Sequence, residues 1–198
     1  MEVGSLVHEI LARAARGEIA LDSLSAASPL IPHADLAAHV DRPAEEASQV
    51  IGRALACEAI AEILDPLRAW RGLMTRAGLA TMSAEHGAGR AEGERAEAAR
   101  TGGAEVYSEW AFARSVGGAV QIGAIDRLIL ARDVAGCVRR AEVVDFKTDA
   151  IAPEEAAATY RGQLEAYREV VVESFGLPKE SVEMRLVLLR SCLVVDLS

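Results

Sequence analysis

The sequence predicts an α/β fold in which a mixed β-sheet is flanked by helices and follows an N-terminal helical part. Residues 3–16 place apolar side chains on one face at helical spacing, which favours an amphipathic helix. Three apolar runs with glycine-containing turns between them favour β-strands over residues 105–148. A long amphipathic stretch then opens at Pro153 and closes at Gly176, and two further strand-like runs follow it.

The N-terminal helical part spans residues 1–83. Residues 43–64 open with proline and acids, as a helix N-terminus does, and a short helix is expected after Pro66. Residues 20–42 are rich in turn-forming residues and predict only short helical pieces.

Residues 84–103 are small, charged and glycine-dotted without apolar periodicity, and predict a flexible loop. This loop requires no domain boundary, so residues 1–198 are interpreted as a single domain. Residues 104–198 form its expected core.

Composition limits the class of protein. The chain is 51% apolar, has no apolar run near the roughly 20 residues of a membrane span, and lacks a secretory signal. Its three cysteines form no disulfide or metal pattern, which fits a reducing cytoplasm. The net charge of -9 argues against a purely electrostatic DNA-binding surface, although metal ions can offset carboxylates.

Two predicted strands each place an acid among apolar residues. Side chains alternate along a strand, so Asp145 and Lys147 share one face with Ala141 and Val143. By the same alternation, Asp126 shares the apolar face of its own strand with Ile122, Ala124, Leu128 and Leu130. If the strands are neighbours, the two aspartates converge at one point.

Converging carboxylates repel each other, and a divalent cation such as Mg2+ or Mn2+ is the usual relief. Lys147, about 6.6 Å along the strand from Asp145, can then orient water or stabilise charge on a phosphoryl group. The pattern thus predicts metal-assisted hydrolysis of a phosphodiester. The alternative is structural: Asp126 pairs with an arginine, Asp145 ends its strand in a turn, and Lys147 is solvated.

The helix after these strands contains a second unusual feature. Gln163 and Tyr167 lie one turn apart in an otherwise apolar stripe with Tyr160, Leu164 and Val171. A glutamine in such a stripe needs a buried partner, unless it lies at the edge of the helix beside a core tyrosine.

Four motifs together resemble those of a known family. GSLVHEIL (4–11), GAIDRL (123–128), VVDFKTD (143–149) and QLEAY (163–167) occur in the order seen in RecB-like nucleases of the PD-(D/E)XK superfamily. The resemblance is strongest to the C-terminal nuclease domain of AddA/RecB-type helicase–nucleases, and implies a restriction-endonuclease-like fold. Isoleucine rather than proline precedes Asp126, as is common in the RecB-like branch.

The resemblance implies a role for each matching residue. It identifies His8, Asp126 and Asp145 as metal ligands, with the backbone carbonyl of Phe146 completing the site. It identifies Lys147 as the catalytic lysine, acting with the two aspartates. The histidine alone would not have been singled out, since a lone histidine at a helix edge is usually a surface or packing residue.

The remaining polar residues receive lesser roles. Gln163 and Tyr167 are expected to support the active site and contact the DNA strand. Glu109 is a possible additional acid near the site. The other histidines, His33, His39 and His86, are expected to be structural or exposed.

The implied function is a Mg2+- or Mn2+-dependent deoxyribonuclease, acting as an exonuclease and possibly as an endonuclease. It would cut single-stranded DNA ends during double-strand break repair and recombination. Expected partners are a helicase domain of the same or another chain and possibly a second nuclease subunit, with no membrane. The sequence contains no G-x-x-x-x-G-K-[ST] motif and no iron–sulfur cysteine set, so an ATP-driven motor would have to lie elsewhere.

Three interpretations remain open. The first is an excised nuclease domain of a larger helicase, which the open-ended start of the sequence and its stop right after a strand favour. The second is a free-standing RecB-family exonuclease. The third is a non-catalytic module that binds DNA or a partner. Such non-catalytic relatives lose the acids, whereas this chain retains Asp126, Asp145 and Lys147.

Overall fold

A five-stranded mixed β-sheet forms the centre of the protein. The computed structural model describes residues 3–15, 18, 42–76, 104–133 and 135–198. The strands follow in spatial order β1-β2-β3-β4-β5, and only β3 and β4 pair in parallel. Their bounds are Ala104–Val116 (β1), Ala119–Arg132 (β2), Val138–Lys147 (β3), Val182–Leu188 (β4) and Leu193–Asp196 (β5).

Helices cover the two faces of this sheet, which confirms the predicted fold class. They are Val3–Ala15 (α1), Arg42–Ala56 (α2), Glu58–Leu64 (α3), Pro66–Arg76 (α4) and Pro153–Phe175 (α5), with a 3-10 turn at Lys179–Ser181. Side chains of α1 to α4 pack with Val144 and Phe146 on one face of β3. Side chains of α5 pack with Ala141 and Val143 on the other face.

The predicted helix over residues 43–64 is in fact two helices. Cys57 interrupts it with an extended backbone (φ -87°, ψ 114°) and serves as the residue before α3. The interruption lets Ile60 and Leu64 of α3 enter the same core as Ile51 of α2. Since no glycine or proline marks position 57, the break comes from tertiary packing rather than from a local sequence signal.

Helix α5 begins and ends where the sequence predicts. Pro153 lies in its first turn, and Gly176 ends it in the left-handed conformation (φ 64°), with its N–H donating to Val172 O. The helix connects the parallel strands β3 and β4, so it must cross one face of the sheet. The tertiary structure thereby places the face of α5 that carries Gln163 and Tyr167 over the end of β3.

The long β1–β2 hairpin corrects one expectation. Ile122, predicted to share the apolar face with Asp126, is 79% exposed. The reason is that β2 pairs with β3 only from Arg127 to Arg132, so residues 119–125 pair with β1 alone. The predicted turn is present as Gly117 and Gly118, both with positive φ.

Two earlier expectations concern residues outside the described part of the chain. The flexible loop over 84–103 and nearly all of the turn-rich segment 20–42 fall there, as do His33, His39 and His86. Among the described helices, none combines the length and the apolar character that a membrane crossing requires.

Candidate active site

Asp126 and Asp145 are brought together because β2 and β3 are antiparallel neighbours, as expected. Their ladder ends with the pair Arg127 and Val144, so the next step in register aligns the two aspartates. At this step Asp126 Oδ2 accepts a hydrogen bond from the Phe146 N–H at 2.7 Å. Asp145 is 1% exposed, so its charge is almost removed from water.

Burial and the second aspartate change the chemistry of Asp145. Burial is the largest cause that raises its pKa, and the negative charge of Asp126 raises it further. Lys147 and His8 oppose the shift, and the resulting pKa is about 6. An acid whose pKa is raised this far is a candidate for metal binding or catalysis.

Lys147 lies beside the buried acid. Its Nζ is 2.6 Å from Asp145 Oδ2, within ion-pair distance. The charge of the ammonium group and its contact with Asp145 lower the pKa of this acid and partly offset the effect of burial.

His8 reaches the site from α1. Its Nε2 is 3.1 Å from the Phe146 carbonyl oxygen, and its Nδ1 is 3.4 Å from Asp126 Oδ1. The hydrogen bond to Asp126 is the main cause that raises the pKa of His8, against the lowering effect of burial. Both ring nitrogens thus face oxygen atoms, and the raised pKa favours the protonated form of the ring in the metal-free site.

Helix α1 can bring His8 this close because a glycine lies at its contact with the sheet. A Cβ built at Gly4 would lie 3.1 Å from Thr148 Oγ1, a tight contact with the end of β3. Gly4 thus gives the first residue of the G-x-x-x-H motif a physical role, which is to let the helix approach the strand.

Glu109 is the third acid of this site. It lies between the pairs Ser108–Arg127 and Trp110–Ile125 of the β1–β2 ladder, so it stands opposite Asp126. Its backbone has a left-handed φ of 52°, which is strained for a residue with a side chain. The carboxylate lies 3.8 Å from His8 Nδ1.

The strain at Glu109 interrupts the regular alternation of both strands. Tyr107 and Trp110, three residues apart in β1, pack in the same cluster against α5, and so do Ile125 and Leu128 in β2. Regular alternation would put such residues on opposite faces. The interruption falls at the facing acids, which frees their carboxylates to point toward His8.

Gln163 has the buried partner that its apolar surroundings call for. Its Nε2 donates to Tyr167 Oη at 2.7 Å and lies 3.4 Å from Asp145 Oδ1. The Tyr167 ring packs edge-on against Phe112, with ring centroids 5.8 Å apart. The structure thus brings together every residue that the resemblance singled out, because direct contacts link the six side chains and the Phe146 carbonyl. His8, Phe146 and Lys147 also line the adjoining cleft.

Other neighbours of this cleft had weaker sequence signals. Asp149 and Tyr160 form a hydrogen-bonded pair beside Lys147, and the Tyr160 ring lies below the ammonium group. Arg127 is fully buried beneath Phe146, with burial lowering its pKa to about 10. The sequence did offer one signal for this region, which is the scarcity of lysine. The 21 basic residues include two lysines, Lys147 and Lys179.

The donor atoms fit a hard divalent cation. One atom from each of His8, Glu109 and Asp126 lies within 4.8 Å of the others. Neighbouring ligands of an octahedral Mg2+ bound at about 2.1 Å lie about 3.0 Å apart. His8 Nδ1 lies 3.4 Å from Asp126 Oδ1 and 3.8 Å from Glu109 Oε1, so small side-chain shifts would bring the three donors to this spacing. Carboxylate, carbonyl and imidazole donors suit Mg2+ or Mn2+.

A mixed sheet whose central strands carry facing aspartates, with a lysine two residues beyond the second, defines a restriction-endonuclease-like fold. A sequence model of the PD-(D/E)XK nuclease superfamily matches residues 1–196, and the chain belongs to this superfamily. No curated protein and no solved structure matches the chain significantly. Members of the superfamily are nucleases that use divalent metal ions, and the acidic cluster of this chain is consistent with such an ion.

Proposed function

We propose that this protein is a Mg2+- or Mn2+-dependent deoxyribonuclease that hydrolyses phosphodiester bonds of single-stranded DNA. The observation that carries the proposal is the contact between Lys147 and the buried Asp145, which faces Asp126 across two strands. A structural ion pair at this position would not need a second carboxylate opposite it, because that carboxylate raises the cost of ionising Asp145.

In this proposal Asp126, Asp145, His8 and the Phe146 carbonyl hold the metal ion, and Glu109 adds a further acid. Bound at these groups, a divalent ion supplies positive charge for the scissile phosphate and makes a bound water more acidic. Release of the His8 proton accompanies this binding, since a ligating imidazole must offer a lone pair.

Lys147 acts on the phosphate side of the site. Its Nζ donates to the attacking water or to a phosphate oxygen, and so orients the nucleophile and stabilises charge in the transition state. Gln163 keeps Asp145 in place through the contact at Oδ1, and Tyr167 fixes the Gln163 amide. The side chains of α5 would then face the DNA strand at the entrance of the cleft.

The proposed context is a helicase–nuclease that processes double-strand breaks. The RecB-like set of His8, Asp126, Asp145, Lys147 and the Gln163–Tyr167 pair supports it. A net charge of -9 agrees with a domain that receives single strands from a basic partner. The expected partners are a helicase domain, of the same or another chain, and a second nuclease subunit. Tight metal-free binding of this chain to single-stranded DNA at physiological salt would contradict that division of tasks.

The test is cleavage of end-labelled single-stranded DNA with Mg2+, Mn2+ or EDTA. Asp145→Asn and Lys147→Met should each abolish metal-dependent cutting. Lys179→Met is the matched control, because the Lys179 side chain is 58% exposed and pairs with Glu165 outside the cleft. Cutting that survives EDTA, or that survives in both active-site variants, would overturn the proposal.

A further inference from the structure

The position of Lys147 depends on a group outside the recognised motifs. The Lys147 side chain is 16% exposed and has four rotatable bonds. An ion pair with Asp145 alone would therefore leave this side chain several conformations. The Tyr160 ring supplies a second contact, with Lys147 Nζ 4.8 Å from the ring centroid. An ammonium group at this distance from an aromatic face is attracted by the negative charge above the ring.

Tyr160 is itself held in place. It lies on α5 one turn before Gln163, so both residues face the end of β3. The Tyr160 hydroxyl donates a hydrogen bond to Asp149 Oδ2, two residues beyond Lys147. The ring is thus anchored at its far end to the same segment that carries the lysine.

We propose that Tyr160 is a positioning residue of the nuclease site, whose ring, anchored by Asp149, holds the Lys147 ammonium group beside Asp145. The inference rests on the proposed function, in which Lys147 acts at the phosphate. Gln163 and Tyr160 then support different residues of the site, since Gln163 contacts Asp145 and Tyr160 contacts Lys147. Ring and hydroxyl have separate tasks: the ring attracts the cation, and the hydroxyl fixes the ring.

Two lysines in the whole chain make a direct test feasible. Protein labelled with 13C at lysine Cε gives one signal from Lys147 and one from Lys179, and Lys179→Arg assigns them. Because Lys147 lies over an aromatic face, its Cε protons should resonate upfield of those of Lys179. Tyr160→Leu should remove this upfield shift, and Tyr160→Phe should retain it.

Kinetics provide the second measurement on the same variants. Tyr160→Leu should lower kcat about tenfold with KM nearly unchanged, since the ring orients a catalytic group rather than binding DNA. Tyr160→Phe and Asp149→Ala should each lower kcat by less than Tyr160→Leu, because the ring remains and only its hydrogen bond is lost. Tyr107→Leu is the control, because the Tyr107 hydroxyl bonds to Glu105 away from the cleft.

The outcomes separate the two proposals. A wild-type protein that does not cut DNA would overturn the proposed function, while the lysine signals would still decide whether Tyr160 holds Lys147. An unchanged Lys147 signal in Tyr160→Leu would overturn the positioning role, and so would a lost shift with an unchanged kcat. If Tyr160→Leu does not fold, the signal and rate of Asp149→Ala decide: unchanged values for both would overturn the proposal.

Discussion

Asp126 Oδ2 accepts the backbone N–H of Phe146 at 2.7 Å, so a carboxylate oxygen takes the place of a strand carbonyl where the β2–β3 ladder ends. This contact couples the two halves of the site. Phe146 lies between Asp145 and Lys147 in sequence, and its own carbonyl faces His8. The backbone of Phe146 thereby connects polar side chains from α1, β2 and β3.

The buried aspartate predicts how stability depends on pH. The folded protein raises the pKa of Asp145 from 3.8 to about 6, so the folded state disfavours the ionised form. Stability from this group is therefore full below pH 4 and falls as the pH rises to about 6, by on the order of 3 kcal/mol. The raised pKa of His8 acts in the same direction, because its contribution is lost as the pH rises through the folded-state value.

Asp145→Asn should remove this dependence in metal-free protein. We expect the variant to gain stability relative to the wild type as the pH rises from 4 to 8, measured by urea unfolding in EDTA. Mg2+ or Mn2+ should stabilise the wild type at pH 8 and the variant much less. If the free energies of unfolding of the two proteins changed with pH in parallel, ionisation of Asp145 would not destabilise the folded state, and the prediction would be wrong.

The environment of Glu109 predicts that this residue lowers the stability of the metal-free protein and strengthens metal binding. Burial, and next the charge of Asp126, raise the pKa of this acid. Glu109→Gln should therefore increase the thermal midpoint at pH 8 in EDTA, since it removes a disfavoured charge. The same change should weaken Mn2+ binding several-fold in calorimetry, where Glu173→Gln is the control, because the Glu173 side chain is 66% exposed and pairs with Arg114. Unchanged Mn2+ affinity would remove Glu109 from the metal site.

Gly123 predicts a packing effect that reaches the active site. A Cβ at this position would lie 2.7 Å from Phe112 Cζ, so Gly123→Ala must displace the ring that packs against Tyr167. We expect a loss of about 1–3 kcal/mol in urea unfolding and a lower kcat. Gly162→Ala is the matched control: nothing lies within 4 Å of its Cβ, and the helix should gain about 0.5–1 kcal/mol.

A buried ion cluster below the site gives a prediction about stability. Glu142 is 1% exposed and bonds to Arg76, while its second oxygen lies 3.3 Å from Arg185 Nη1. Arg185→Met should cost about 3 kcal/mol, because it leaves part of a buried charge without a partner. The double variant Glu142→Met/Arg185→Met should lose less, since Arg76 keeps Glu183 at 2.8 Å. A double variant as unstable as the sum of the singles would contradict this reasoning.

The sequence determined the parts of the fold that depend on local patterns. Apolar spacing identified α1 and the strands, and Pro153 and Gly176 marked the ends of α5. Alternation along β3 placed Asp145 and Lys147 on one face, which the contact between their charged groups confirms. These features follow from backbone geometry, which repeats every 3.6 or 2 residues, and so they can be read without tertiary information.

The tertiary structure decided what no local pattern contains. The break at Cys57 and the exposure of Ile122 depend on which elements pack over those residues. The strained Glu109 faces Asp126 only because β1 and β2 pair in one register. Tyr160 reaches Lys147 because α5 crosses the sheet at the end of β3. Contacts between residues distant in sequence arise from the pairing and packing of whole elements, so no local pattern predicts them.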